Sequence, residues 1–125
     1  MTFKNVIIRL HELSIQNYGG SKGIRDEGLL DSALARPYQV FNGEELYKTV
    51  FEKAAAISES IIANHPFIDG NKRTGYLAML LLLKTAGFKI TANNDDIYTF
   101  IISISTSESK FEHITQWLRA NTKPI

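Results

Sequence analysis

The chain predicts an all-α fold, a compact bundle of about six helices around a central buried helix. Three observations carry that expectation. Apolar residues recur at three- and four-residue steps in one segment after another. Glycine, proline and asparagine separate those segments. The stretch from about Asn71 to Ala86 is apolar nearly all round, which marks a buried helix rather than a surface one.

Phe3, Val6, Ile7, Leu10 and Leu13 give the first helix its stripe, to about Tyr18. Gly19, Gly20 and Gly23 end it, because glycine takes positive φ freely. Asp26 is placed to cap a second helix with the stripe Leu29, Leu30, Ala33 and Leu34, which Pro37 stops. Pro37 to Glu45 is a turn-rich connection around Asn42-Gly43, with Tyr38, Val40 and Phe41 as a short extended piece. A third helix carries Leu46, Val50, Ala54, Ile57 and Ile61 and runs to about Asn64. Pro66 ends it, because the residue before a proline avoids helical angles. Gly87 stops the fourth helix, and Phe88-Lys89-Ile90 is briefly extended. Asn93 or Asn94 caps a fifth helix with Ile97, Phe100, Ile101 and Ile104. Ser109 and Glu112 form a capping box for a sixth, with Phe111, Ile114, Trp117 and Leu118. The tail after Arg119 is expected to fray. Residues 1–125 are expected to form one domain, without repeats or linkers.

The 44% apolar and 22% charged composition is ordinary for a globular protein. No cysteine is present, which excludes disulfides and thiolate chemistry and fits a reducing cytoplasm. A net charge of +1 gives no strongly basic surface, so no direct nucleic-acid partner is expected. The first residues lack the pattern of a signal peptide. The longest apolar run, Tyr76 to Leu83, is far short of the roughly 20 residues that span a bilayer. A cytoplasmic protein with no membrane partner is the expectation.

The chemistry concentrates in His65-Pro66-Phe67-Ile68-Asp69-Gly70-Asn71-Lys72-Arg73. Asp69-Gly70-Asn71 is a turn feeding a helix N-terminus, where free backbone N–H groups and the helix dipole favour an anion. Gly70 lets a phosphate approach the backbone. The dipole contributes about 0.3–1 kcal/mol, too little alone to hold a nucleotide. Lys72 adds a point charge and Arg73 a bidentate grip. Asp69 is a hard oxygen ligand, and Mg²⁺ commonly uses one or two carboxylates with substrate phosphates and water. His65 closes the preceding helix, and histidine can remove a proton near neutral pH. A base, a metal ligand and electrostatic clamps are what phosphoryl or nucleotidyl transfer requires.

Each residue also has a plain reading. His65 alone suits a helix end, Asp69 a cap, Gly70 a turn, and Lys72 and Arg73 a solvated face. Their joint occurrence between two helices argues for a site.

That stretch resembles the signature of the Fic/Doc superfamily, His-x-Phe-x-(Asp/Glu)-Gly-Asn-x-x-x-x-Arg in Fic proteins. The resemblance covers nearly the whole chain. Tyr18-Gly19-Gly20-Ser21, Gly23 to Leu30 and Ser32 to Pro37 are similar to the N-terminal half of death-on-curing (Doc) proteins, and Trp117-Leu118-Arg119 to their close. It implies a Fic-like helical bundle and one of two chemistries. Fic enzymes transfer AMP from ATP to a protein hydroxyl. Doc toxins phosphorylate a threonine of elongation factor Tu, with the nucleotide reversed, and a Phd-like antitoxin restrains them. In either case the resemblance implies His65 as catalytic base, Asp69 as the Mg²⁺ ligand, and Gly70, Asn71, Lys72 and Arg73 as the phosphate- and nucleotide-binding residues. The Pro37–Glu45 connection falls where Fic-like proteins carry a flap for the target peptide.

Two departures favour Doc. Lys72 stands where Fic motifs usually carry glycine. Tyr76 stands eleven residues after His65, where they carry a second arginine that clamps the distal phosphates. Doc-type kinase chemistry is therefore expected, with AMP transfer, or an inactive Fic-fold binding protein, as alternatives. Gly70, where Doc motifs often carry alanine, is expected to matter little. The inhibitory helix of some Fic proteins, (Ser/Thr)-x-x-x-(Glu/Asp)-(Gly/Asn), is approached only at Thr91 and Asp95, and Asp96 breaks it. Restraint by a separate chain is the corresponding expectation.

Overall fold

Six α-helices and four short strands make up the computed structural model, which describes residues 1–125. The helices are α1 (Phe3–Tyr18), α2 (Glu27–Ala35), α3 (Val50–Asn64), α4 (Asn71–Thr85), α5 (Asn94–Ser105) and α6 (Phe111–Ala120). The strands form two separate antiparallel ribbons, β1 (Val40–Phe41) with β2 (Glu44–Glu45), and β3 (Phe88–Ile90) with β4 (Thr122–Pro124). No helix is long and apolar enough to cross a membrane.

Helices α3 and α4 stand between two buried clusters and contribute to both. The first joins Ile57 and Ile61 of α3 and Ala78 of α4 to Ile7 of α1, to Leu30, Ala33 and Leu34 of α2, and to Phe67. The second joins Ala54, Ala55 and Ile62 of α3 and Met79 and Leu83 of α4 to α5 and α6. There the Phe100 and Trp117 rings stack at 3.8 Å. The fourth helix thus shares the centre with α3, whose Ala54, Ala55, Ala56 and Ile57 are all fully buried. Leu77, Leu80 and Leu81 of α4 stay only partly covered. Gly75 sets the approach of the pair. A Cβ there would stand 2.5 Å from Ile62 Cγ1 and 3.4 Å from the Ser58 carbonyl oxygen.

Several local expectations hold for the reasons given. Asp26 and Asn93 cap α2 and α5 through their side chains. Asn42 (φ 51°) and Gly43 (φ 79°) are both left-handed, as a two-residue hairpin loop between right-twisted strands requires.

Three expectations are corrected. Leu46 lies before α3 and is 51% exposed. Thr49 is extended and shares a capping box with Glu52, so the helix cannot reach further back. The predicted Ser109–Glu112 box is absent. Lys110 is the N-cap of α6 without a side-chain bond, and the Ser109 hydroxyl pairs instead with Ser103 at 2.8 Å. The tail does not fray. Its β4 pairs with β3, and the Ile125 N–H donates to the Gly87 carbonyl at 2.9 Å.

Gly75→Ala tests the α3–α4 contact. Alanine gains at most about 1 kcal/mol of helix propensity, against about 1–3 kcal/mol for overpacking. A net loss of about 1 kcal/mol in denaturant unfolding is expected, whereas a gain in stability would show that the helices can part without cost.

Candidate active site

The loop between α3 and α4 is held from three directions. Phe67 is 1% exposed, and its ring stacks on His11 of α1 with centroids 3.9 Å apart and planes 10° from parallel. Asn71, the first residue of α4, reaches back with its carboxamide. Its Oδ1 accepts from the Phe67 N–H and its Nδ2 donates to the Phe67 carbonyl, both at 3.0 Å. That pair satisfies both backbone groups of a residue with no access to water. The segment after α1 supplies the third hold. The Ile68 N–H donates to the Gly23 carbonyl at 3.0 Å, and the Arg25 and Asp26 N–H groups donate to the Pro66 carbonyl at 2.8 and 3.0 Å.

His65 is the C-cap of α3, exposed, and left-handed at φ 51°, ψ 60°. Pro66 excludes the ordinary helical conformation there, and the left-handed cap both ends α3 and redirects the chain. The Arg25 guanidinium fixes this end. It donates from Nε to the His65 carbonyl at 2.7 Å and from Nη2 to the Asn64 carbonyl at 2.8 Å. It thereby takes up two carbonyls that the helix leaves unpaired and sets a cation at the negative end of the dipole.

Asp69 is held from both sides. Its Oδ1 accepts from the Gly70 N–H at 2.8 Å and its Oδ2 from the Ser21 N–H at 3.1 Å. Its carbonyl accepts from His11 Nε2 at 2.8 Å, which fixes a proton on that nitrogen. The Ser21 and Gly70 N–H bonds, helped by the charge of Arg73, hold the Asp69 carboxyl below its ordinary value of 3.8. Gly20 makes the Ser21 contact possible, since a Cβ at Gly20 would lie 2.8 Å from Asp69 Oδ2.

Gly70 is the N-cap of α4, left-handed at φ 73°, and no side chain caps the helix. The first α4 backbone bond is Thr74 N–H to the Gly70 carbonyl at 2.9 Å, so the N–H groups of Asn71, Lys72 and Arg73 are left without a partner. A Cβ on Gly70 would meet Ile15 Cδ1 at 3.1 Å in a strained conformation. Glycine therefore matters here more than the sequence suggested.

A cavity of about 500 Å³ opens over this N-terminus. Every residue singled out from the sequence lines it: His65, Asp69, Gly70, Asn71, Lys72 and Arg73. Their freedom differs. Lys72 is exposed and makes no ion pair or hydrogen bond. Arg73 donates from Nη2 to the Gly19 carbonyl at 2.8 Å and lies over the Tyr18 ring, which leaves part of its guanidinium for a ligand. The Asn71 side chain is committed to the loop, so what it lends to an anion is its backbone N–H. Arg25 brings a third cation against the single carboxylate of Asp69.

That donor set fits Mg²⁺. Asp69 is one ionised hard-oxygen group whose oxygens each keep acceptor capacity, set beside a helix N-terminus where a bound phosphate would supply further oxygen ligands.

Two supporting residues were not identified from sequence. His11 lies on the apolar stripe of α1, four residues from Ile7 and four from Ile15, and that placement was the available signal. Arg25 gave no local signal, because the carbonyls it serves are about forty residues away.

A helical protein with a helix–loop–helix anion cradle flanked by histidine and aspartate is the class that this geometry defines. The model described as "Fic/DOC family" matches residues 3–83, and the chain belongs to that family. A protein named Toxin Doc, from Mycolicibacterium smegmatis (strain ATCC 700084 / mc(2)155), is 41% identical over 78 residues, 62% of this chain and 60% of that protein. Protein kinase doc of Escherichia phage P1 is 27% identical over 113 residues, 90% of this chain and 88% of that one. The match thus spans less than two thirds of the length of the first relative.

Two outcomes test the support of the site. Arg25→Ala should lower stability by about 1 kcal/mol in denaturant unfolding, since the carbonyls it releases remain within reach of water. No change would show that the α3 terminus holds its shape unaided. The depressed Asp69 pKa should add stability that is complete above the ordinary aspartate range and is lost as pH falls through the lower folded value. A carboxyl-carbon NMR titration should give an Asp69 midpoint below 3.8, and Ser21→Pro, which removes the leading N–H donor, should raise it.

Proposed function

We propose that this chain is a Doc-type toxin that transfers the γ-phosphate of ATP to a threonine hydroxyl of a translation factor such as elongation factor Tu. The observation that carries this reading is the convergence on one cavity of His65, Asp69 and the uncapped N-terminus of α4. The names of the two relatives, a toxin and a protein kinase, support the same assignment.

In this reading the γ-phosphate lies on the N–H groups of Asn71, Lys72 and Arg73. Lys72 and the free part of the Arg73 guanidinium take up its charge. His65 accepts the proton of the target hydroxyl as that oxygen attacks the γ-phosphorus. The bond to the bridging β–γ oxygen breaks, ADP leaves, and His65 returns its proton to solvent. Asp69 would hold Mg²⁺, which supplies charge neutralisation to the phosphate oxygens when bound. The site lowers the barrier chiefly through positioning and preorganised charge.

Tyr76 supports γ- over α-transfer. Burial pushes its phenol up, so it is neutral at physiological pH and cannot replace a phosphate-clamping arginine. The β1–β2 ribbon, with Val40 62% and Phe41 70% exposed, offers an edge to the target peptide. A hollow of about 810 Å³ along α1 and the Gly20–Gly23 segment offers a seat to a Phd-like antitoxin.

Incubation with ATP labelled separately at the α- and γ-phosphates, with elongation factor Tu present, is the test. Transfer of γ-label alone is expected. Transfer of α-label without γ-label would assign AMP transfer instead, and no transfer of either would leave a binding protein. His65→Ala should slow transfer about 10²–10⁴-fold, with little change in the melting temperature.

A further inference from the structure

The β1–β2 ribbon is too short to hold a direction of its own. It has two residue pairs, Val40 with Glu45 and Phe41 with Glu44, and an isolated two-stranded hairpin is at best marginally stable in water. Its paired apolar residues, Val40 and Phe41, face solvent rather than the core. What holds the ribbon therefore lies at its root. Arg36 stands just before it and Tyr47 just after it.

The Arg36 guanidinium joins both ends of the ribbon to α3. Its Nε donates to the Tyr47 hydroxyl at 3.1 Å. Its Nη1 donates to Glu59 Oε1 at 2.8 Å and to Ser60 Oγ at 3.0 Å, with the Ala56 carbonyl at 3.3 Å. The Tyr47 and Phe111 rings each lie 5.6 Å from its central carbon. Lys53 steadies the same end, donating to the Tyr47 carbonyl and pairing with Glu45 at 3.2 Å. The Arg36 and Glu59 side chains are only 26% and 21% exposed. A pair this far out of water adds little net stability, because desolvation offsets much of its attraction. A planar fork with acceptors on two sides does define a direction.

We propose that Arg36 is a positioning residue for the protein substrate: it fixes the ribbon against α3, so that a target segment paired along the ribbon brings its hydroxyl to His65. This role rests on the transfer reading above, and it names the residue that aligns the second substrate. Helix α3 is the common frame. Glu59 precedes His65 by six residues, about 9 Å along the helix axis. The root of the ribbon and the base thus ride on one rigid rod, and tilting one against the other would misplace the acceptor oxygen. The phosphate cradle, built on α4, does not depend on Arg36.

Three measurements on the full chain test this: transfer of γ-label from ATP to elongation factor Tu, calorimetric titration with ATP and Mg²⁺, and amide hydrogen exchange. Arg36→Gln should lower kcat/KM for the protein substrate about tenfold, within the roughly 10²-fold that a misplacement of about 1 Å can cost, and leave ATP affinity unchanged. Tyr47→Phe removes only the hydroxyl at Nε and should act in the same direction by a smaller factor; it carries the test if Arg36→Gln folds poorly. In both variants the Leu46 N–H, which donates to the Gln39 carbonyl at 2.9 Å, should exchange faster than in the wild type. Unchanged transfer or unchanged Leu46 exchange in both variants would overturn the proposal. So would parallel losses of transfer and of the fraction of chains that bind ATP, the mark of a purely structural arginine. A wild-type chain that transfers no label would overturn the transfer reading and with it the substrate role of Arg36; Leu46 exchange would then decide its hold on the ribbon separately.

Discussion

The loop depends on the carboxamide of Asn71 closing a ring with the backbone of Phe67. Two hydrogen bonds of 3.0 Å lock the register between the buried centre of the loop and the first residue of α4. With Phe67 pinned, His65 and Asp69 stand two residues to either side of it, one ending α3 and the other preceding the turn into α4. The loop is six residues long, and its chemically able groups owe their placement to one that does no chemistry. A side chain that spends its donors and acceptors this way is unavailable to a substrate, which leaves Asn71 only its main-chain N–H to offer.

The second constraint is electrostatic. An uncapped helix N-terminus with Arg25, Lys72 and Arg73 around it would be a purely cationic hollow without Asp69. The glycine-rich segment after α1 prevents that carboxylate from collapsing onto its neighbours. The Ser21 and Gly70 N–H groups hold one oxygen each, so Asp69 stays ionised beside three cations without being consumed by a salt bridge. Gly20 is the residue small enough to permit it. A segment 48 residues earlier and the adjacent Gly70 thus converge on one carboxyl group.

The helices were legible because burial imposes a 3.6-residue period, and the loop because its residues are consecutive. His65, Asp69, Lys72 and Arg73 needed no knowledge of the fold to be picked out. What escaped the sequence was long-range or competitive. Arg25 and His11 act on residues about forty and about sixty positions away. The α6 cap failed because Ser109 had a better partner in Ser103, and Thr49 took the capping role on α3 without having been singled out. The tail was expected to be loose because β4 makes sense only beside β3, and no local pattern reports a partner some thirty residues earlier.

His65 sits in a conformation that glycine adopts freely and a histidine adopts at a cost of about 1 kcal/mol or more. Stability and chemistry therefore rank the residues at this position in opposite orders. Glycine would relax the backbone at position 65 and delete the imidazole that the proposed transfer uses as its base. A search for hardier variants, by directed evolution or by drift under heat, would meet this substitution early and score it as an improvement. Thermal tolerance alone is thus a misleading guide to fitness at this position, and any selection on this scaffold has to monitor turnover alongside folding.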